Sequence, residues 1–147
     1  MTGGPTSRDP SAAGPVGGLK LRRSQRLSKA NDFRAILRGK LSKPAGPLVV
    51  YARASEAGSH RIGLSVGRRV GNAVVRNRVK RLLREAFRHV QHTMPRTRAG
   101  LALDLVIAVR PHTTLDRVEY ERLLLQAGAK LVSEIDRRVA RSEGRDG

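Results

Sequence analysis

Hydrophobic and polar positions divide the chain into periodic blocks separated by Gly- and Pro-rich turns. Over residues 27–37, Phe33, Ile36 and Leu37 fall at i, i+3 and i+4, which predicts a short helix. Ser28 is placed to cap it, Asp32 sits in its first turn, and Gly39 ends it. Pro44 and Pro47 bracket a turn, and residues 48–52 (LVVYA) then read as a β-branched strand. A short extra strand is placed near residues 40–43. In residues 61–66, Ile62, Leu64 and Val66 alternate with other residues, so this strand is expected to pair with 48–52 as a hairpin across the loop at 55–59.

Gly67 and Gly71 punctuate the next turn, and Asn72 is placed to cap a second helix. Over residues 73–90, Val75, Val79, Leu82, Leu83, Ala86, Phe87 and Val90 trace one helical face. Asn77, Arg78, Lys80, Arg81, Arg84 and Arg88 fall on the other side, with Arg76 near the boundary. Residues 101–109 (LALDLVIAV) read as a buried or half-buried strand ended by Pro111. Asp116 and Glu119 have capping-box spacing, and Tyr120, Leu123, Leu124, Ala127, Leu131 and Ile135 mark a long amphipathic helix. The order is helix, two or three strands, helix, strand, helix, an α+β sandwich with helices packed on a small sheet. Strand 61–66, the basic helix and strand 104–109 are suited to a βαβ unit. A single domain is expected over residues 19–139. Residues 1–18 hold five Gly and three Pro without apolar periodicity, and read as a disordered tail. Residues 140–147 are charged and are expected to fray.

Charge gives this scaffold a partner class. The 147 residues carry a formal net charge of +18. Residues 20–43 contribute +8 and residues 61–88 another +8, so the charge is concentrated in two blocks. Such a distribution calls for a polyanion. Arginine outnumbers lysine, and its planar fork grips phosphate, but codon usage can also enrich Arg, so the clustering carries the inference. No apolar run is long enough to span a membrane and no signal peptide is visible, which sets a cytoplasmic expectation. The absence of Cys excludes disulfides and thiol chemistry.

Candidates for catalysis are weak. His89 and His92 stand at i, i+3 without a carboxylate to complete a metal site, and read as exposed helix-end residues. Asp104, alone in an apolar strand, reads as a strand start or an ion-pair partner. Gly67-Arg68-Arg69-Val70-Gly71-Asn72 lies between a strand and a helix, where backbone N–H groups bind anions. It lacks the Gly-Lys-Ser/Thr of a P-loop, so contact with nucleic-acid phosphate is the better reading than nucleotide binding. In the basic helix, Glu85 is the single acid from Arg76 to Arg88, where solvated helices normally interleave both signs. A membrane-surface helix would carry more bulky aromatics, and this apolar face is needed to cover the sheet. Phe87 is assigned to the core. Tyr120 is either core or helix surface, and Phe33 and Tyr51 are either core or platforms for stacking bases. The residues alone leave open a ribosomal protein or general RNA chaperone. A DNA reader using the basic helix is disfavoured by the absence of a second recognisable helix.

Residues 61–87 (RIGLSVGRRVGNAVVRNRVKRLLREAF) closely resemble the bacterial ribonuclease P protein family. The hallmark is Arg76-Asn77-Arg78 inside a basic helix that comes after a strand and a Gly-Asn turn. Asn31-Asp32-Phe33, Val50-Tyr51 and the strand ending in Arg110-Pro111 fit in order, so the resemblance covers roughly residues 20–135. It implies an αβββαβα fold with a left-handed βαβ crossover, against the usual right-handed rule. It implies a noncatalytic subunit that binds ribonuclease P RNA and the 5′ leader of precursor tRNA. Cleavage and its Mg²⁺ then belong to the RNA, with neither DNA nor a membrane as partner. The RNA-binding residues it points to are Arg68, Arg69, Asn72, Arg76, Asn77, Arg78, Lys80, Arg81, Arg84 and Arg88. The leader cleft would carry Phe33, Leu37 and Tyr51. Many members have a second aromatic where this chain has Leu37, so stacking there is expected to be weaker.

Overall fold

Alternation along the strands sorts the apolar side chains into two layers. The computed structural model describes residues 26–27, 29–55 and 57–146. In chain order, α1 (Ala30–Arg38) is followed by β1 (Ser42–Ala45), β2 (Leu48–Ser55), β3 (Arg61–Val66), α2 (Ala73–Val90), β4 (Ala102–Val109) and α3 (Arg117–Asp146). This is the expected αβββαβα order. Leu48, Val50 and Ala52 of β2, Ile62 of β3, and Leu103, Leu105 and Ile107 of β4 form the main core. Val79, Leu83, Ala86, Phe87 and Val90 of α2 close it, together with Tyr120, Leu124, Ala127 and Leu131 of α3. On the opposite face a smaller cluster joins Leu27 and Ile36 to Val106, with Phe33 and Tyr51 packed against it.

The sheet order is β1-β2-β4-β3, which corrects the expected hairpin between the second and third strands. β4 lies between them, antiparallel to β2 and parallel to β3. The reason is visible in β4 itself, where Ala102 through Ile107 are all buried. A strand apolar on both faces belongs in the middle of a sheet. The hairpin is instead β1–β2, in which Ala45 pairs with Leu48 across Gly46-Pro47 and Gly46 takes φ 56°. Pro44 is tolerated because β1 is an edge strand. The connection β3–α2–β4 is the expected βαβ unit.

Both ends of α1 also differ from expectation. Leu27 precedes α1, and its N–H donates to Ile62 O at 2.9 Å while its side chain joins the smaller cluster. Ser28 lies outside the described residues, and Lys29 at the N-cap makes no side-chain capping bond. At the other end Gly39 stays right-handed, with φ −64°, and Lys40 takes the left-handed turn at φ 55°. α3 runs to Asp146, so it includes most of the charged segment 140–147. Residues 1–18 lie outside the described residues.

Candidate nucleic-acid interface

The start of α2 is built by a tight turn. Residues 68–70 form one 3-10 turn, anchored by buried Val70, with Arg68 and Arg69 exposed. Gly71 adopts φ 157°, and a Cβ there would meet Val75 Cβ and Cγ1 at 2.9 Å, so glycine is required for the close approach. Asn72 Oδ1 then accepts the Val75 N–H at 3.0 Å, capping the helix. Asn72, read as an RNA contact, is thus also the cap that aims the helix.

Burial of Val79, Leu83, Ala86, Phe87 and Val90 fixes the rotation of α2. Asn77, Arg78, Arg81 and Arg84 are exposed; Arg76, Lys80 and Arg88 are half-buried. Among the described residues, ion pairs engage Lys43, Arg53, Arg61, Arg117, Arg122, Arg137, Arg138 and Arg141. None engages Arg68, Arg69 or a cation of α2. Partial desolvation of the Arg84 guanidinium by its surroundings, and then the charge of Arg26, lower its pKa even though the residue is exposed. The Nε atoms of Arg76 and Arg88 are buried without a hydrogen-bond partner. An uncompensated cationic surface of this kind attracts a polyanion.

Across the sheet, α1 covers the row Tyr51–Val106–Gly63. The Phe33 ring lies directly on Gly63, where a Cβ would come within 2.5 Å of Phe33 Cζ. Phe33 and Tyr51 thus share one half-buried cluster, about two strand spacings or ~10 Å across. Leu37 is 38% exposed and stands outside that cluster.

Residues that sequence reasoning did not connect surround Asp104. This carboxylate is 1% exposed and accepts from Arg61 Nε and Nη2, both at 2.7 Å, and from Arg53 Nε at 3.1 Å. Burial alone would raise its pKa, but the arginine N–H donors outweigh burial and hold it below the usual carboxylate range. The only signal in the sequence was a lone acid in an apolar strand, and its partners lie 43 and 51 residues away.

His60, His112 and Tyr120 fall into structural places. His60 is buried; its Nδ1 accepts the Leu103 N–H at 3.0 Å, so Nε2 carries the hydrogen toward Met94 O at 3.2 Å. Tyr120 is fully buried in the core, and its hydroxyl accepts the Leu115 N–H and meets His112 Nε2 at 2.8 Å. His89 and His92 are not gathered with carboxylates, and no group of three or more potential metal ligands exists among the described residues. No helix there is long and apolar enough to cross a membrane.

Comparison with known proteins finds similar chains and similar folds. The family model described as Ribonuclease P matches residues 21–133. A ribonuclease P protein component from Brevibacillus brevis is 35% identical over 131 residues, covering 86% of this chain and 100% of that one. A solved RNase P protein from Staphylococcus aureus is similar with a TM-score of 0.56 and 30% identity, covering 70% of this chain and 91% of that one. The RNase P protein from Thermotoga maritima gives a TM-score of 0.59 at 29% identity, covering 69% and 92%.

Proposed function

The chain belongs to the ribonuclease P protein family, and on that premise we propose that it binds ribonuclease P RNA and the 5′ leader of precursor tRNA, assisting endonucleolytic removal of the leader. The observation that carries the reading is the contrast in charge: among the described residues the cations of α2 and its preceding turn make no ion pair, while Arg117, Arg122, Arg137, Arg138 and Arg141 of α3 do. In this reading Arg68, Arg69, Asn72, Arg76, Asn77, Arg78, Lys80, Arg81, Arg84 and Arg88 face RNA phosphates. Phe33 and Tyr51 offer ring surface to a single-stranded leader between α1 and the sheet, and Leu37 extends that surface at its rim.

The chain contributes electrostatics and positioning. Cations lining α2 lower the repulsion between two RNAs brought side by side, and each phosphate contact releases condensed counterions. Holding the leader in one register makes the encounter of substrate and catalytic RNA effectively intramolecular. In this reading Mg²⁺ belongs to the RNA subunit.

Reconstitution tests this. The protein is added to a bacterial ribonuclease P RNA at low Mg²⁺ and 5′-leader removal is scored. Leader removal is expected to require the RNA and to increase when the protein is added. Cleavage by the protein alone would overturn the noncatalytic role. Equal affinity for unrelated structured RNAs, with no gain in processing, would leave a general RNA chaperone.

A further inference from the structure

We propose that Arg53 is a positioning residue that latches α1 onto the sheet and thereby sets the cleft between Phe33 and Tyr51; the functional consequence rests on the leader-binding reading above. Arg53 uses two nitrogens of its guanidinium on different elements. Its Nε donates to Asp104 Oδ2 on β4 at 3.1 Å, and its Nη2 donates to Asp32 Oδ1 on α1 at 3.2 Å. Asp104 cannot move, because it is buried and gripped by two N–H groups of Arg61. The pivot is therefore fixed to the central strand, and Asp32 is what it holds.

α1 depends on such a tie. It has only nine residues and no side-chain cap at Lys29. A helix this short is marginal by itself, so tertiary contacts determine its placement. Its apolar anchors are the half-buried Phe33 and the buried Ile36. Asp32 immediately precedes Phe33, so the ion pair acts at the turn that presses the ring onto Gly63. A lysine at position 53 could satisfy one carboxylate but lacks the planar fork that reaches both.

The test uses the full chain with ribonuclease P RNA, comparing D32N, R53K and D32E. Amide exchange across α1 is expected to rise about two- to fivefold in D32N and R53K, the range for a partly exposed ion pair. Exchange in α2 and α3 should be unchanged. The ratio of precursor to mature tRNA affinity should fall by a similar factor, about two- to fivefold, with affinity for ribonuclease P RNA preserved. D32E, which keeps the charge, should recover both readouts. An unchanged α1 in D32N, or equal losses in D32N and D32E, would overturn the latch. If the unaltered holoenzyme shows no preference for precursor over mature tRNA, the leader-binding reading fails, and the latch is then decided by α1 exchange alone.

Discussion

Replacing Gly63 by alanine should push α1 away from the sheet. The added Cβ would lie 2.5 Å from Phe33 Cζ, 2.7 Å from Cε2 and 3.3 Å from Leu27 Cβ. Carbon atoms pack at about 3.5–4.0 Å, so the ring must retreat by roughly 1 Å. Overpacking of this kind typically costs about 1–3 kcal/mol. The low end applies here, because Phe33 is half-buried and its ring can yield toward solvent. In a domain of this size that corresponds to a Tm loss of about 2–4 °C. Gly39→Ala is the control: Gly39 is right-handed at φ −64°, and its nearest neighbour to a Cβ is Ile36 O at 3.5 Å. That variant should hold or gain stability, by about 0.4–1 kcal/mol. Thermal unfolding followed by circular dichroism measures both, and gel-shift titration measures precursor against mature tRNA. Gly63→Ala should lose affinity for the precursor only. Equal Tm values for the two variants would refute the packing of Phe33 on Gly63.

Arg78→Ala or Arg81→Ala should weaken RNA binding by roughly 1 kcal/mol and reduce the salt slope by about one unit, since both side chains are exposed and neither makes an ion pair among the described residues; filter-binding titrations across ionic strength read this, and an unchanged slope would remove that residue from the interface. Tyr51→Ala should cost about 1–3 kcal/mol of precursor affinity if a base stacks there, with mature tRNA unaffected; equal losses for both would mark Tyr51 as core alone. Burial lowers the pKa of His60 below its ordinary value, so the unfolded chain binds the proton more readily and stability rises with pH through that window. Thermal midpoints should therefore fall as pH drops below about 6.5, and His60→Gln, which keeps a donor and an acceptor, should flatten that dependence. The Tm of the free protein should increase with moderate salt, as screening relieves repulsion on α2, and a flat or falling Tm would contradict an uncompensated surface.

The elements were legible because each is set by local periodicity. Val79, Leu83 and Phe87 declare a helix face, and Asn72 its start. The order of the strands was not legible from neighbours along the chain. Proximity in sequence favoured pairing 48–52 with 61–66, whereas burial of β4 on both faces placed it between them. The continuous run LALDLVIAV contained that information, but only when weighed against the hairpin. The cationic surface was legible because its residues are consecutive turns of one helix. The latch was not, because Asp32, Arg53, Arg61 and Asp104 converge from α1, β2, β3 and β4. Nothing in the sequence separates Arg53, which bridges two carboxylates, from Arg81, which pairs with none among the described residues.

That last distinction explains why net charge alone was a poor guide. The arginines do two kinds of work, and acidic neighbours decide which. Glu134 draws in Arg137, Arg138 and Arg141, and Asp104 holds Arg53 and Arg61, so these cations contribute to the architecture. Along α2 the one acid, Glu85, makes no ion pair among the described residues, and the exposed guanidinium groups remain available. Leaving them unpaired costs the isolated fold stability through repulsion, and a bound polyanion would return it by neutralising the same groups. Salt should therefore act with opposite signs on one surface: it stabilises the free protein and weakens its grip on RNA. A surface whose charges were merely solvated and dispersed would show neither effect strongly, because its carboxylates would already screen its cations.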